Sequence, residues 1–165
     1  MKPLWRWVTV AVALLVVFHF GRRALFPDNE ALIKRRLEAL AGAVSFDARQ
    51  APLTLLANAN AAAGFLTPDV RVSISGYGLR PQTWNGRDEV RQAIEASRSV
   101  LPGLSIKFPD LRVNMDADGQ SATVYANANG RAGGQDLQLI ELRFTLRRID
   151  GDWQVATVET TSTLH

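Results

Sequence analysis

The pattern of apolar and polar residues divides the chain into an N-terminal apolar run, a helical region and a region of strands. Residues 7–21 carry no charge, and apolar or aromatic residues extend this run to residues 4–26. Two later stretches have apolar residues at helical spacing, namely Ala31, Leu32, Leu37, Leu40 and Val44, and then Leu53, Leu56, Ala57 and Ala63. A third helix is predicted to follow Gly86. The pattern therefore predicts three helices after the apolar run.

Alternating apolar and polar residues predict five strands around and beyond the third helix. The first contains Val70, Val72 and Ile74. The other four are predicted at 106–115, 122–128, 137–149 and 153–163, with Asp150-Gly151 as a tight hairpin turn between the last two. This order predicts an α+β domain in which three helices pack on one face of a curved antiparallel sheet.

The apolar N-terminal run predicts a membrane anchor. Its uncharged core is shorter than the roughly 20 residues that cross a bilayer, but interfacial tryptophans and snorkelling arginines can extend it. A cleaved signal peptide is the alternative, yet the bulky and basic residues 18–23 stand where a cleavage site needs small ones. We therefore expect residues 1–27 to form an uncleaved single-pass anchor and residues 28–165 to form one domain.

The orientation of this anchor follows from its flanking charges. A short, basic N-terminal tail favours a cytoplasmic start, although Arg22 and Arg23 favour the reverse. We expect a bacterial inner-membrane protein whose domain faces the periplasm.

The distribution of charge and the missing residue types exclude several kinds of function. The formal net charge is +3, but the N-terminal segment contains basic residues and no acid, which leaves the domain close to neutral. Nucleic-acid binding needs a basic stripe and is not expected. The chain has no cysteine, and its only histidines are His19 and the terminal His165. We therefore expect no metal site, no cofactor and no histidine-dependent catalysis.

Four short stretches of the domain have a familiar order and spacing. They are residues 65–70 (FLTPDV), 84–90 (WNGRDEV), 118–124 (DGQSATV) and 148–155 (RIDGDWQV). Together they resemble the nuclear transport factor 2-like superfamily, which includes ketosteroid isomerase-like and SnoaL-like proteins. The resemblance covers about residues 28–163. It implies a cone-shaped, cystatin-like fold with a cavity between the sheet and the helices, and a possible homodimer through the outer face of the sheet.

The resemblance supports an inference about the fold more than one about function, because the superfamily includes enzymes of many chemistries and many non-enzymes. Its isomerase-like members place an Asp base on an early strand, where residues 70–75 of this chain have no acid. Among the strand carboxylates, Glu159 is the best candidate. A two-residue turn at Asp150-Gly151 predicts Phe144 opposite Thr157 and Leu142 opposite Glu159, which directs Glu159 to the mouth of the cavity.

Glu159 is thus the candidate catalytic residue, with Tyr125 and Tyr77 as candidate hydrogen-bond partners. The predicted ligand pocket is lined by Trp84, Leu142, Phe144, Trp153, Thr157 and Glu159. Structural alternatives remain open, since strand-end charges are usually solvated and Trp153 is a natural core residue. A slip of one residue in the hairpin register would also reverse the direction of Glu159.

The leading hypothesis is a membrane-tethered, non-catalytic module that binds a partner protein or a small apolar ligand. It rests on the missing histidine, the missing early-strand acid and the near-neutral domain. One alternative is an isomerase, dehydratase or cyclase that uses Glu159 inside an enclosed apolar cavity. Another is an accessory subunit of a membrane complex.

Overall fold

The computed structural model describes residues 28–47, 49–76, 79–137 and 140–161. The chain separates into two compact units, Met1–Leu32 and Ile33–His165, and the sheet lies in the second. The helices are α1 (Asn29–Val44), α2 (Pro52–Gly64) and α3 (Arg87–Val100). The strands are β1 (Phe46–Asp47), β2 (Leu66–Gly76), β3 (Leu79–Asn85), β4 (Gly103–Met115), β5 (Ser121–Ala132), β6 (Gln135–Asp136), β7 (Ile140–Ile149) and β8 (Asp152–Thr160).

The predicted membrane anchor, residues 4–26, lies outside the described residues. Within the described part of the chain, every helix is too short or too polar to cross a bilayer.

The three predicted helices are confirmed, and each begins at a local signal in the sequence. Asp28 Oδ1 accepts a hydrogen bond from the backbone N–H of Glu30 at 3.1 Å, which caps α1. Pro52 occupies the first turn of α2, where its missing N–H leaves no bond unmade. Gly86 precedes α3 with a φ of +86°, a conformation that favours glycine.

The sheet has the strand order β1-β4-β5-β7-β8-β2-β3, with β6 paired to the end of β5. All of these pairs are antiparallel except β2 with β8, which is parallel. The expectation of a purely antiparallel sheet is therefore wrong, and the sheet is mixed. The reason is that β2 and β8 are far apart in sequence, so no turn between them reveals their relative direction.

Two further differences from the sequence prediction concern strand limits. β3, which contains Pro81, is a strand that the alternating pattern does not predict. It lies at the edge of the sheet, where a proline is tolerated, and it pairs Trp84 with Val72 of β2. β1 and β6 have two residues each, which is too short for a period to be read from sequence.

One face of the sheet packs against the helices and forms the core. We call it the inner face and the opposite side the outer face. The core joins Ile33 and Leu37 of α1 to Phe144, Leu146 and Val158 of the strands. The rings of Phe108 and Phe144 meet edge to face with their centroids 5.5 Å apart.

Candidate functional site

A bulge in the hairpin of β7 and β8 decides where Glu159 points. The turn places Leu146 opposite Val155, as the sequence predicts, but the next pair is Thr145 with Thr157. Ala156 is therefore an extra residue in β8. The predicted register beyond it is wrong, because Phe144 lies opposite Val158, and Glu159 lies opposite Arg143.

Glu159 consequently lies on the outer face, away from Phe144 and Val158. Arg143 donates a hydrogen bond from Nη2 to Glu159 Oε2, and the two side chains form an ion pair. This hydrogen bond raises the pKa of the Arg143 guanidinium. The pair is partly exposed, so Glu159 is a solvated, paired carboxylate and does not project into the core.

The candidate tyrosine Tyr125 is not brought together with a carboxylate in the core. Tyr125 lies opposite Arg143 on β5, so it is also on the outer face, and 42% of its surface is exposed. A weaker interaction with Tyr125 also raises the Arg143 pKa. Tyr77 lies outside the described residues.

The predicted pocket residues divide between the two faces. Phe144 and Trp153 are buried in the core, with Trp84 and Leu142 packed against it. Thr157 pairs with Thr145 and, like Glu159, belongs to the outer face. The prediction that these six residues line one cavity is therefore wrong for Thr157 and Glu159. The bulge at Ala156 turns these two side chains to the outer face.

The core holds no acid–base pair among the described residues. Within that part of the chain, Thr67 is the only polar residue that is buried. The described residues also contain no group of three carboxylate or histidine side chains that could hold a metal. The chemistry that the inner face offers is therefore apolar contact.

Polar side chains instead form a continuous row across the outer face. Register partners on six neighbouring strands place them side by side. In the order of the strands they are Arg112, Tyr125, Arg143, Glu159, Ser73 and Thr83.

A groove of about 340 Å³ lies on this face, above β4, β5 and β7. It is lined by Asp110, Arg112, Asn114, Tyr125, Ala126, Asn127, Glu141, Leu142 and Thr161. Apart from Tyr125 and Leu142, these residues were not predicted as site residues. The signal was present as alternating polar positions in β4 and β5, but such alternation is typical of any solvent-facing strand.

The geometry defines a class of fold, a mixed sheet covered on one face by three helices. No protein-family model matches the sequence, and no curated protein matches it. Solved structures do match. A proposed dehydratase of the NTF2-like family from Streptomyces avermitilis has a TM-score of 0.64 at 17% identity, covering 85% of this chain and 100% of that one.

Two further structures give the same result. A proposed scytalone dehydratase from Novosphingobium aromaticivorans has a TM-score of 0.63 at 14% identity, covering 81% of this chain and 83% of that one. An NTF2-like protein with a cystatin-like fold from the same organism has a TM-score of 0.58 at 18% identity, covering 97% and 90%. The chain therefore has the NTF2-like, cystatin-like fold. At these identities the similarity concerns the fold alone.

Proposed function

We propose that this protein is a non-catalytic binding module that recognises a partner protein or a small molecule through the outer face of its sheet. The observation that carries the proposal is the position of Glu159. Glu159, the carboxylate that the sequence pattern favours for proton transfer, is paired with Arg143 on the outer face, while the inner face is apolar. A general acid or base must reach the substrate within hydrogen-bond distance and benefits from a desolvated site.

The apolar interior gives less support to the binding of an apolar ligand there. Phe144 and Trp153 are buried in the core, and Leu142 packs against this core. A ligand that used these side chains would have to compete with the contacts that they already make there. The outer face offers exposed polar and aromatic groups, which is the composition that binding surfaces use.

The second candidate function is a dehydratase-type enzyme. Two of the similar structures are described as proposed dehydratases, and Tyr77, which lies outside the described residues, stays a candidate donor. Scytalone is the direct probe of this alternative, because one of these structures is described as a proposed scytalone dehydratase.

The test is a turnover assay of the full chain with scytalone, run beside Glu159→Gln. The binding module predicts no dehydration above the uncatalysed rate for either protein. Turnover that falls by about a hundredfold in Glu159→Gln, as expected for loss of a general base, would overturn the proposal and favour the enzyme.

We further propose that residues 4–26 tether the module to the inner membrane, with the domain on the periplasmic side. Membrane fractionation of the full chain and of a chain without residues 1–27 tests the tether, and the proteins that co-purify with each chain test the alternative of an accessory subunit. Recovery of the shortened chain in the membrane fraction would contradict the tether. Sedimentation of the full chain in detergent gives its oligomeric state and tests the homodimer that the resemblance implies.

A further inference from the structure

We propose that the groove on the outer face above β4, β5 and β7 is a binding site for a neutral, hydroxyl-rich small molecule of the saccharide class. This inference names the ligand class of the proposed binding module and rests on that function.

The register of three strands brings the polar side chains of the groove to one place. Asp110 lies opposite Asn127, and Asn127 lies opposite Glu141. Arg112 lies opposite Tyr125 in the next row. A bulge in β4 between Lys107 and Asp110 stands at one end of this arrangement, and bulges commonly redirect side chains towards a site. The polar groups therefore converge on one volume.

Four of these side chains have no partner among the described residues. The side chains of Asp110, Arg112, Asn114 and Asn127 make no hydrogen bond or ion pair with any of the described residues. Elsewhere on the same face the polar groups pair with each other, as Arg143 does with Glu159 and Arg147 with Asp69. These four side chains thus give the groove donors and acceptors that are available to a ligand.

The mixture of charges selects a neutral ligand. The lining contains both signs of charge: Arg112 lies in the row of Tyr125, and the carboxylates Asp110 and Glu141 lie in the neighbouring row of Asn127. An anion that binds Arg112 is repelled by the two carboxylates, and a cation is repelled by Arg112. Vicinal hydroxyls avoid both penalties, because each can donate to a carboxylate or amide oxygen and accept from an amide or guanidinium N–H.

The ring of Tyr125 and the size of the groove also suit a saccharide. The ring of Tyr125 is partly exposed at the groove, and an aromatic ring presents an apolar surface to the C–H face of a pyranose. The volume of about 340 Å³ lies at the lower end of the roughly 300–1,000 Å³ typical of small-molecule pockets. A ligand of one or two sugar rings is the expected size.

The experiment titrates the ¹⁵N-labelled full chain in detergent with cellobiose, maltose and N,N′-diacetylchitobiose at millimolar concentrations. The side-chain amides of Asn114 and Asn127 are the reporters. We expect at least one disaccharide to shift both reporters, with saturation. The inference is overturned if none of the three shifts them, or if inorganic phosphate or free glutamate saturates the same reporters at lower concentration than every disaccharide.

Variants then test the assignment to this groove. Asn127→Ala should weaken disaccharide binding by about fivefold to tenfold, the value of one hydrogen bond. Tyr125→Ala should weaken it by a similar factor, whereas Tyr125→Phe keeps the ring and should retain most of the affinity. Thr83→Ala, on the outer face but not in the groove lining, is the matched control. Equal affinity of Asn127→Ala and Thr83→Ala would contradict the inference.

Two results separate this inference from the proposed function. Turnover that depends on Glu159 would refute the binding module whatever the sugars do. A homodimer whose interface covers Asn114 and Asn127, with no disaccharide effect on either, would refute the saccharide site and leave a non-catalytic module in place.

Discussion

The two faces of the hairpin formed by β7 and β8 are built from alternating residues of the same strands, yet one face is buried and the other is exposed. Phe144 and Val158 face the helices and are buried. Their neighbours Arg143 and Glu159 face outward and pair with each other. The comparison teaches that the inner face supplies stability by excluding water, while the groups able to recognise a polar molecule lie on the outer face.

The outer face itself has two parts. Above β7, β8, β2 and β3 its charged side chains find partners, for example Arg147, whose Nη2 lies 2.6 and 2.8 Å from the two carboxylate oxygens of Asp69. Above β4 and β5 several do not. The charged side chains of the first part are already satisfied by one another. Those of the second part are the ones for which a ligand would supply new hydrogen bonds.

The largest expected effect is at the centre of the inner face. Phe144→Ala removes a buried ring that contacts Phe108, and the resulting cavity should lower the free energy of unfolding by about 3–5 kcal/mol. Urea denaturation measures this. The control is Thr145→Ala, one residue along on the outer face, which should stay within about 0.5 kcal/mol of the wild type. Similar losses for both variants would contradict the division between the faces.

The bulge at Ala156 can be tested at the next pair of residues. Val158→Gln places an amide in the core and should lower the free energy of unfolding by about 2–3 kcal/mol. Glu159→Gln removes an exposed charge and should leave the unfolding midpoint in urea nearly unchanged. The opposite ranking would mean that the register without the bulge is correct and that Glu159 faces the core.

The sequence predicts the helices and most strands because their patterns are local. Asp28, Pro52 and Gly86 mark helix starts whatever surrounds them. It fails where two distant segments decide the outcome. The parallel pairing of β2 with β8 depends on no turn, and Ala156 fits a regular strand as well as a bulge. One inserted residue then reversed the direction of Glu159.

The groove escaped prediction for a related reason. Asp110 and Arg112 of β4 and Asn127 of β5 alternate with apolar residues, as in any exposed strand. Only their three-dimensional register shows that they converge. The absence of partners, which distinguishes them from Arg147 or Arg143, is also a tertiary property and leaves no mark on the sequence.

A smaller effect on stability is expected at the ion pair between Asp69 and Arg147 on the outer face. The hydrogen bond from Arg147 lowers the pKa of Asp69 below its usual value. The stabilisation from this carboxylate is therefore complete above the unfolded pKa of about 3.9 and is lost as pH falls through the lower folded pKa. Thermal unfolding of Asp69→Asn should show a Tm a few degrees or less below the wild type at pH 6, with the difference vanishing in acid. A difference that persists or grows in acid would show that the ion pair is not its source.

The smallest effect on stability is expected for a substitution in the groove. The side chain of Asn127 has no hydrogen-bond partner among the described residues, so Asn127→Ala removes no side-chain hydrogen bond to that part of the fold. Its free energy of unfolding should stay within about 0.5 kcal/mol of the wild type in urea denaturation. A loss comparable with that of Val158→Gln would mean that Asn127 supports the fold. An unchanged stability combined with weakened disaccharide binding would separate the two roles, because a residue that contributes nothing to folding can then be assigned to recognition alone.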